Sequence, residues 1–263
     1  MIKIKRLKFS YSMEQRFSNF IKDHYFSLKC MPHDTARQKI EFAGVDAEPV
    51  EMRSSDIDSF GNSVIIGHTI KPHDTFNVRL TGTALTGLEV FEEKSEDTPM
   101  IFTYPSRATR PGIHLSHYHN MIANNAPDGI YQRALYYMRC IYRDFSYCPG
   151  ATSISTTAEN AVQLGKGVCQ DYAHIMLALC RLDHIPARYA VGIMTGEGFS
   201  HAWVEVKCRQ YWYGFDPTNN CLVDDNYIKI SHGRDYFDTL VNKGIYHNPA
   251  VEVQRIRVEV IRL

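Results

Sequence analysis

Three side chains in this sequence have types and settings suited to covalent chemistry on a carbonyl: Cys169, His201 and Asp216. The cysteine follows Gly165-Lys166-Gly167-Val168 and precedes a nearly continuous apolar run, residues 172 to 182, that stops before Ile185-Pro186. This pattern predicts a buried helix with Cys169 at or just before its start. Unpaired backbone N–H groups there favour a thiolate over a thiol, whose free pKa is ~8.5, and can hold the oxyanion of an attacked carbonyl. Taken alone, a free cysteine is more often just a small buried residue.

The segments 201–206 (His-Ala-Trp-Val-Glu-Val) and 211–216 (Tyr-Trp-Tyr-Gly-Phe-Asp) both read as strands, joined by Lys207-Cys208-Arg209-Gln210. A hairpin centred between Cys208 and Arg209 sets Val206 opposite Tyr211, Val204 opposite Tyr213 and His201 opposite Asp216. Directly opposed side chains have Cβ atoms ~5 Å apart, within reach of an imidazole–carboxylate hydrogen bond. Such a pair is what a thiol nucleophile requires. The imidazole takes the thiol proton and later protonates the leaving group, while the carboxylate holds it in the useful tautomer. The chain's two tryptophans, Trp203 and Trp212, share that face. They are candidate walls of a substrate groove, set against the commoner fate of cross-strand core aromatics.

The elements that must position these groups fall into two regions. Up to about residue 90 the chain reads as β-structure, with Phe76-Asn77-Val78-Arg79-Leu80 alternating at period two and a β-branched run at Val64-Ile65-Ile66. Residues 1–100 are expected to form an antiparallel β-sandwich. Residues 101–127, punctuated by Pro105, Pro111 and Pro127, are expected to be a connector. Residues 128–263 are expected to hold the catalytic domain, opening with a helix near 131–143 and ending in a strand, 251–263, whose alternation slips phase as if at a β-bulge near Gln254-Arg255.

Composition narrows the function. With 29 basic and 29 acidic residues the chain is neutral, so nothing draws it to nucleic acid or to a membrane surface. No apolar run approaches the ~18 residues of a membrane span. The N-terminus, Met1-Ile2-Lys3-Ile4-Lys5-Arg6, lacks the apolar stretch of an export signal. Seven cysteines, an odd number without any Cys-x-x-Cys pair, suit free thiols in a reducing compartment. The expected location is therefore the cytoplasm. His114, His117 and His119 share no single face of a regular element and have no adjacent acid, so no metal and no cofactor is expected. His174, inside the apolar run, reads as a buried, hydrogen-bonded histidine rather than the base.

Gly167-Val168-Cys169-Gln170-Asp171-Tyr172-Ala173-His174, Ile185-Pro186-Ala187-Arg188-Tyr189, His201-Ala202-Trp203-Val204-Glu205-Val206 and Gly214-Phe215-Asp216-Pro217-Thr218-Asn219-Asn220 together resemble the core of the bacterial transglutaminase-like superfamily. Tyr147 with Pro149-Gly150-Ala151-Thr152, Gly233-Arg234-Asp235-Tyr236, and Asp58 with Phe60-Gly61-Asn62 extend the resemblance over nearly the whole chain. It implies an α+β fold: an N-terminal antiparallel β-sandwich followed by a papain-like transglutaminase core with Cys169 as nucleophile, His201 as general base and acid, and Asp216 as orienter. The implied activity is that of a cysteine peptidase, amidase or acyltransferase. It would form a thioester from a peptide or protein amide, resolved by water or by an amine. After Tyr236 the run Phe237-Asp238-Thr239-Leu240 departs from the proline-containing family pattern. Two residues compete as second oxyanion donor: Gln163, six positions before the cysteine, and Tyr147. A catalytically idle interaction module is the alternative function. The presence of all three triad residues favours the enzyme, and an arylamine-type acetyl transfer lacks any sign of a coenzyme site.

Overall fold

The computed structural model describes residues 3–97 and 99–263. Met1 and Ile2, part of the segment read for an export signal, lie outside them. Strand β1 (Lys5–Leu28) is followed by β2 (Gln38–Glu48), β3 (Met52–Ile57), β4 (Ser63–Thr69), β5 (His73–Thr86) and the short β6 (Glu93–Lys94). Next come α1 (Ile113–Ala123), α2 (Ile130–Asp144), β7 (Ser146–Tyr147), α3 (Ala158–Leu164), β8 (Lys166–Gly167) and α4 (Cys169–Leu182). The chain continues with β9 (Ala187–Met194), β10 (Gly196–Gly198), β11 (His201–Cys208), β12 (Tyr211–Asp216), β13 (Cys221–Leu222), β14 (Tyr227–Gly233), β15 (Asn242–His247) and β16 (Glu252–Arg262).

The N-terminal sheet curls around the long strand β1. Its first part pairs with β5 and β16, whereas its end, beyond a register break, pairs with β4 and β15. One strand thus belongs to two layers, and the core lies between them. Leu7, Phe9, Tyr11 and Met13 alternate inward from β1 and meet Phe76, Val78 and Leu80 of β5 and Val258 and Val260 of β16. Period-two burial of this kind is what fixes the register, since a slip of one residue would turn every apolar side chain to solvent. The core does not stop at the sheet: Ile193 of β9 and Ile228 and Ile230 of β14 belong to it.

The second sheet has the order β13-β12-β11-β9-β14, with β6 added to β12. Helix α4 packs on one face, against Ala202, Val204, Val206 and Phe215, and α1 and α2 cover the helix from outside. Every residue of α4 from Asp171 to Arg181 is buried, which explains its near-absence of polar positions.

Two expectations are corrected. The segment expected to be a connector contributes α1, whose Leu115, Tyr118 and Ile122 enter the core. The stretch before it is pinned by the buried Arg181 guanidinium, which donates to Phe102 O, Ser106 Oγ and Thr109 Oγ1. The prolines flank this helix rather than excluding it: Pro105 and Pro111 precede it and Pro127 follows it. The terminal strand has no bulge: β16 pairs with β1 without interruption from Arg262 opposite Leu7 to Glu252 opposite Phe17. Its phase slip arises because Val251 and Val253 are exposed, at 71% and 56%, and take no part in the buried face.

Candidate active site

Cys169 is the first residue of α4. Gly165 closes α3 in the left-handed region, φ +66°, and Gly167 brings β8 alongside β7 with Tyr147 as its partner. The helix start is then locked by Asp171. Its Oδ2 accepts the Val168 N–H at 2.8 Å and the Thr152 hydroxyl at 2.6 Å, which is the acidic half of a capping box. Burial raises the Asp171 pKa, against the pull of these donors. A Cβ on Gly167 would stand 2.5 Å from Asp171 Oδ2, so only glycine lets the carboxylate reach the turn. The Asp171 and Tyr172 N–H groups donate to Val168 O, whereas the amides of Cys169 and Gln170, first in α4, have no intrahelical acceptor by helix geometry and are available to an oxyanion.

His201 opens β11 and Asp216 closes β12. Their predicted face-to-face register is corrected: Cys208 pairs with Tyr211 and Val206 with Tyr213, so the turn is Arg209-Gln210. Arg209 takes the left-handed conformation there, φ +57°. The shift is two residues, which preserves the face, and His201 meets Asp216 diagonally instead of directly. His201 Nε2 lies 2.7 Å from Asp216 Oδ2.

The carboxylate is fully buried and held from several directions. Oδ2 also accepts the Asn219 side-chain amide at 2.7 Å and the Tyr227 hydroxyl at 2.8 Å, and Oδ1 accepts the Thr218 and Asn219 N–H groups. Burial would raise the Asp216 pKa, but His201 and these donors bring it below the usual carboxylate range. For His201 burial opposes the charge, yet hydrogen bonding to Asp216 and to Cys169, with the charge of each, carries its pKa from 6.5 up to about 10. With Nε2 committed to Asp216, Nδ1 is the ring nitrogen left for the sulfur. A cleft of about 180 Å³ opens onto Cys169 and His201, lined also by Tyr189, Val191, Tyr236 and Leu240.

The other candidates separate clearly. Trp203 and Trp212 are 0% and 1% exposed and wall no groove. They lie on the sheet face away from α4. There Trp203 packs edge-on to Tyr227, and Trp212 lies under the Arg188 guanidinium, 4.3 Å from the ring centroid. Beside them Glu205 is buried between Arg188 at 2.6 Å and Lys229 at 2.8 Å. Gln163 is on the exposed side of α3 and takes no part in the cleft. Tyr147 stays near the cysteine, its pKa raised by burial and by the charges of Cys169, Asp171 and Asp216. His174 is buried, accepts the Tyr236 N–H at 3.2 Å and has its pKa lowered to about 4, by burial above all. His119 is bound to Asp183 at 2.8 Å. Among the described residues, no group of three His, Cys, Asp or Glu side chains is placed to hold a metal.

Sequence reasoning missed Asn219 and Tyr227. The first had a signal, since an Asp followed three residues later by Asn is a common turn arrangement. The second, arriving from β14, had none.

A cysteine at the head of a core helix, facing a histidine–aspartate pair on an antiparallel sheet, defines a papain-like α+β core. Residues 117–217 match the Transglutaminase-like superfamily and residues 7–84 the Bacterial transglutaminase-like N-terminal region. The chain belongs to this superfamily. An uncharacterized protein of Mycobacterium tuberculosis is 29% identical over 97% of this chain and 92% of its own length. One of Mycobacterium leprae is 36% identical over 44% of this chain and 45% of its own. The crystal structure of a "Putative Cysteine Protease" from Cytophaga hutchinsonii shares the fold, with a TM-score of 0.79 and 23% identity over 99% of this chain and 91% of that one. No helix among the described residues is long and apolar enough to cross a membrane.

Proposed function

We propose that the protein is a cysteine-dependent amide hydrolase or acyltransferase acting on a peptide or protein amide. Cys169 Sγ attacks the carbonyl, His201 Nδ1 takes the thiol proton, and the first amides of α4, with Tyr147 beside them, face the oxyanion. His201 then protonates the departing amine and leaves a thioester on Cys169. Water resolves it to an acid, or an amine resolves it to a new amide. Asp216 holds the ring in place throughout.

The observation that carries this reading is the 2.7 Å contact between His201 Nε2 and a buried Asp216 whose remaining lone pairs are all engaged. A carboxylate held so firmly fixes the ring orientation before substrate arrives. The same observation speaks against an idle module, which has no use for an imidazole held in one orientation beside a thiol by a buried carboxylate. Seven free thiols suit a reducing compartment, and we place the protein in the cytoplasm.

Iodoacetamide competition near pH 6 tests the proposal. Burial pushes up the pKa of Cys30, Cys140, Cys180, Cys208 and Cys221, so the half-buried Cys148 is the relevant internal control. Mapping the adducts is expected to show Cys169 labelled at least tenfold faster than Cys148, and His201→Ala to remove that advantage. Equal rates at the two thiols in the native chain would overturn the proposal.

A further inference from the structure

The cleft at Cys169 is only partly made by the catalytic core. Asn242 of β15 and Gln254 and Ile256 of β16 also line it, and both strands are hydrogen-bonded to β1 of the N-terminal sheet. Apart from His201 the lining contains no ionisable side chain of the Asp, Glu, Lys or Arg type. A charged substrate group entering here would lose its hydration and find no opposite charge outside the Cys169–His201 pair itself.

Asn242 has a more specific property. Its Oδ1 is buried and has no hydrogen-bond partner among the described residues, whereas its Nδ2 donates to Gln15 Oε1 at 2.8 Å. Gln15 Nε2 in turn donates to Glu252 Oε2 at 2.6 Å, and the other oxygen of Glu252 accepts the Tyr246 hydroxyl at 2.6 Å. This chain has only one polarity. The Glu252 carboxylate accepts and cannot donate, so Gln15 must turn its NH₂ group toward it. Gln15 Oε1 then faces Asn242, which can answer only with its own NH₂ group. The unpaired end is therefore always an acceptor, buried on a side chain that lines the cleft. A buried acceptor without a donor is a cost that an incoming N–H removes.

Resting on the thiol chemistry proposed above, we infer that Asn242 Oδ1 receives the backbone N–H of the residue that supplies the acyl group, and that this residue is uncharged. The N-terminal sheet thus takes part in selecting substrate, through Asn242, with Gln15 and Glu252 as positioning residues that set the amide's orientation. A cleft of about 180 Å³ gives room for one such residue beside the thiol.

The p-nitrophenyl esters of N-acetylglycine and N-acetylsarcosine differ by a methyl in place of that N–H. On attack the Cys169 Sγ–carbon bond forms, the carbon–oxygen bond to p-nitrophenolate breaks, and the thiol proton passes through His201 to the medium. The nitrophenolate burst reads the step. With the wild-type chain the glycine ester is expected to acylate faster by about fivefold, the worth of one hydrogen bond. Asn242→Ala and the near-isosteric Asn242→Leu, each checked for folding by its thermal melt, are expected to bring the ratio close to one. A wild-type ratio near one, or a variant ratio equal to the wild-type value, overturns the role of Asn242 while leaving the thiol chemistry standing. N-acetylaspartyl and N-acetyllysyl esters are expected to react at least tenfold more slowly than the N-acetylalanyl ester, and equal rates overturn the requirement for an uncharged residue. No burst from any ester, together with equal iodoacetamide labelling of Cys169 and Cys148, defeats the proposed function itself and this inference with it.

Discussion

His201 Nε2 and Asp216 Oδ2 stand 2.7 Å apart although the two residues are not cross-strand partners. The hairpin register displaces them by two positions, and the long imidazole closes the diagonal. What makes this contact durable is the far side of the carboxylate, where Asn219, Tyr227 and two backbone amides occupy the remaining lone pairs.

The folded His201 pKa is raised from 6.5 to about 10. Its stabilising contribution is therefore complete below 6.5, declines steadily as the pH rises, and is gone above about 10. Asp216 is shifted the opposite way, so its contribution is present above its unfolded value of 3.8 and is lost as the pH falls through its lowered one. The Tm difference between wild type and His201→Ala is expected to shrink progressively across the upper window. A difference that stays flat there would falsify the assignment.

Removing one of the carboxylate's partners should cost less than altering the carboxylate. Tyr227→Phe deletes the buried hydrogen bond to Asp216 and the weaker one with Cys221 Sγ, and is expected to lower stability by ~1 kcal/mol with iodoacetamide still selecting Cys169. Asp216→Asn sets an NH₂ group against donors already in place and is expected to cost ~3 kcal/mol or more and to abolish the selectivity. Urea melts and adduct mapping on the two variants decide the matter; equal losses would mean that Asp216 acts only as one more hydrogen-bond partner.

Gly167→Ala places a methyl where the Asp171 carboxylate passes. The expected result is loss of the Val168 and Thr152 hydrogen bonds, a destabilisation of ~1–2 kcal/mol from the spoiled helix start, and slower alkylation of Cys169. Thr152→Val, which removes one of the two bonds, should show a smaller effect in the same direction. Unchanged alkylation in Gly167→Ala would show that the helix start does not govern the thiol.

Trp212→Ala separates a core role from a groove role. The ring is buried under Arg188, so the variant is expected to lose ~3–5 kcal/mol in a urea melt. Well below its lowered midpoint, the rate of Cys169 alkylation should remain within twofold of wild type. A selective loss of reactivity in a chain of normal stability would put the tryptophan in the site after all.

The candidates Cys169, His201 and Asp216 were readable from residue types and spacing because each lies at a local signal: a glycine-led helix start, a strand beginning, and an Asp-Pro turn. The alternation of the N-terminal half announced β-structure, and the apolar run announced α4, for the same reason, that burial imposes a period on neighbouring positions. Long-range geometry left no such trace. Whether Trp203 and Trp212 face a cleft or a core depends on what covers that side of the sheet, and the cover comes from Phe102, Arg188 and Tyr227, distant in the chain. The same holds for Tyr227 against Asp216 and for Asn242 in the wall beside Cys169. Local sequence determined which groups could do chemistry; only the packing of one sheet on another decided their distances, their burial and the surface a substrate would meet, because those are properties of residues that neighbour each other in space and not along the chain.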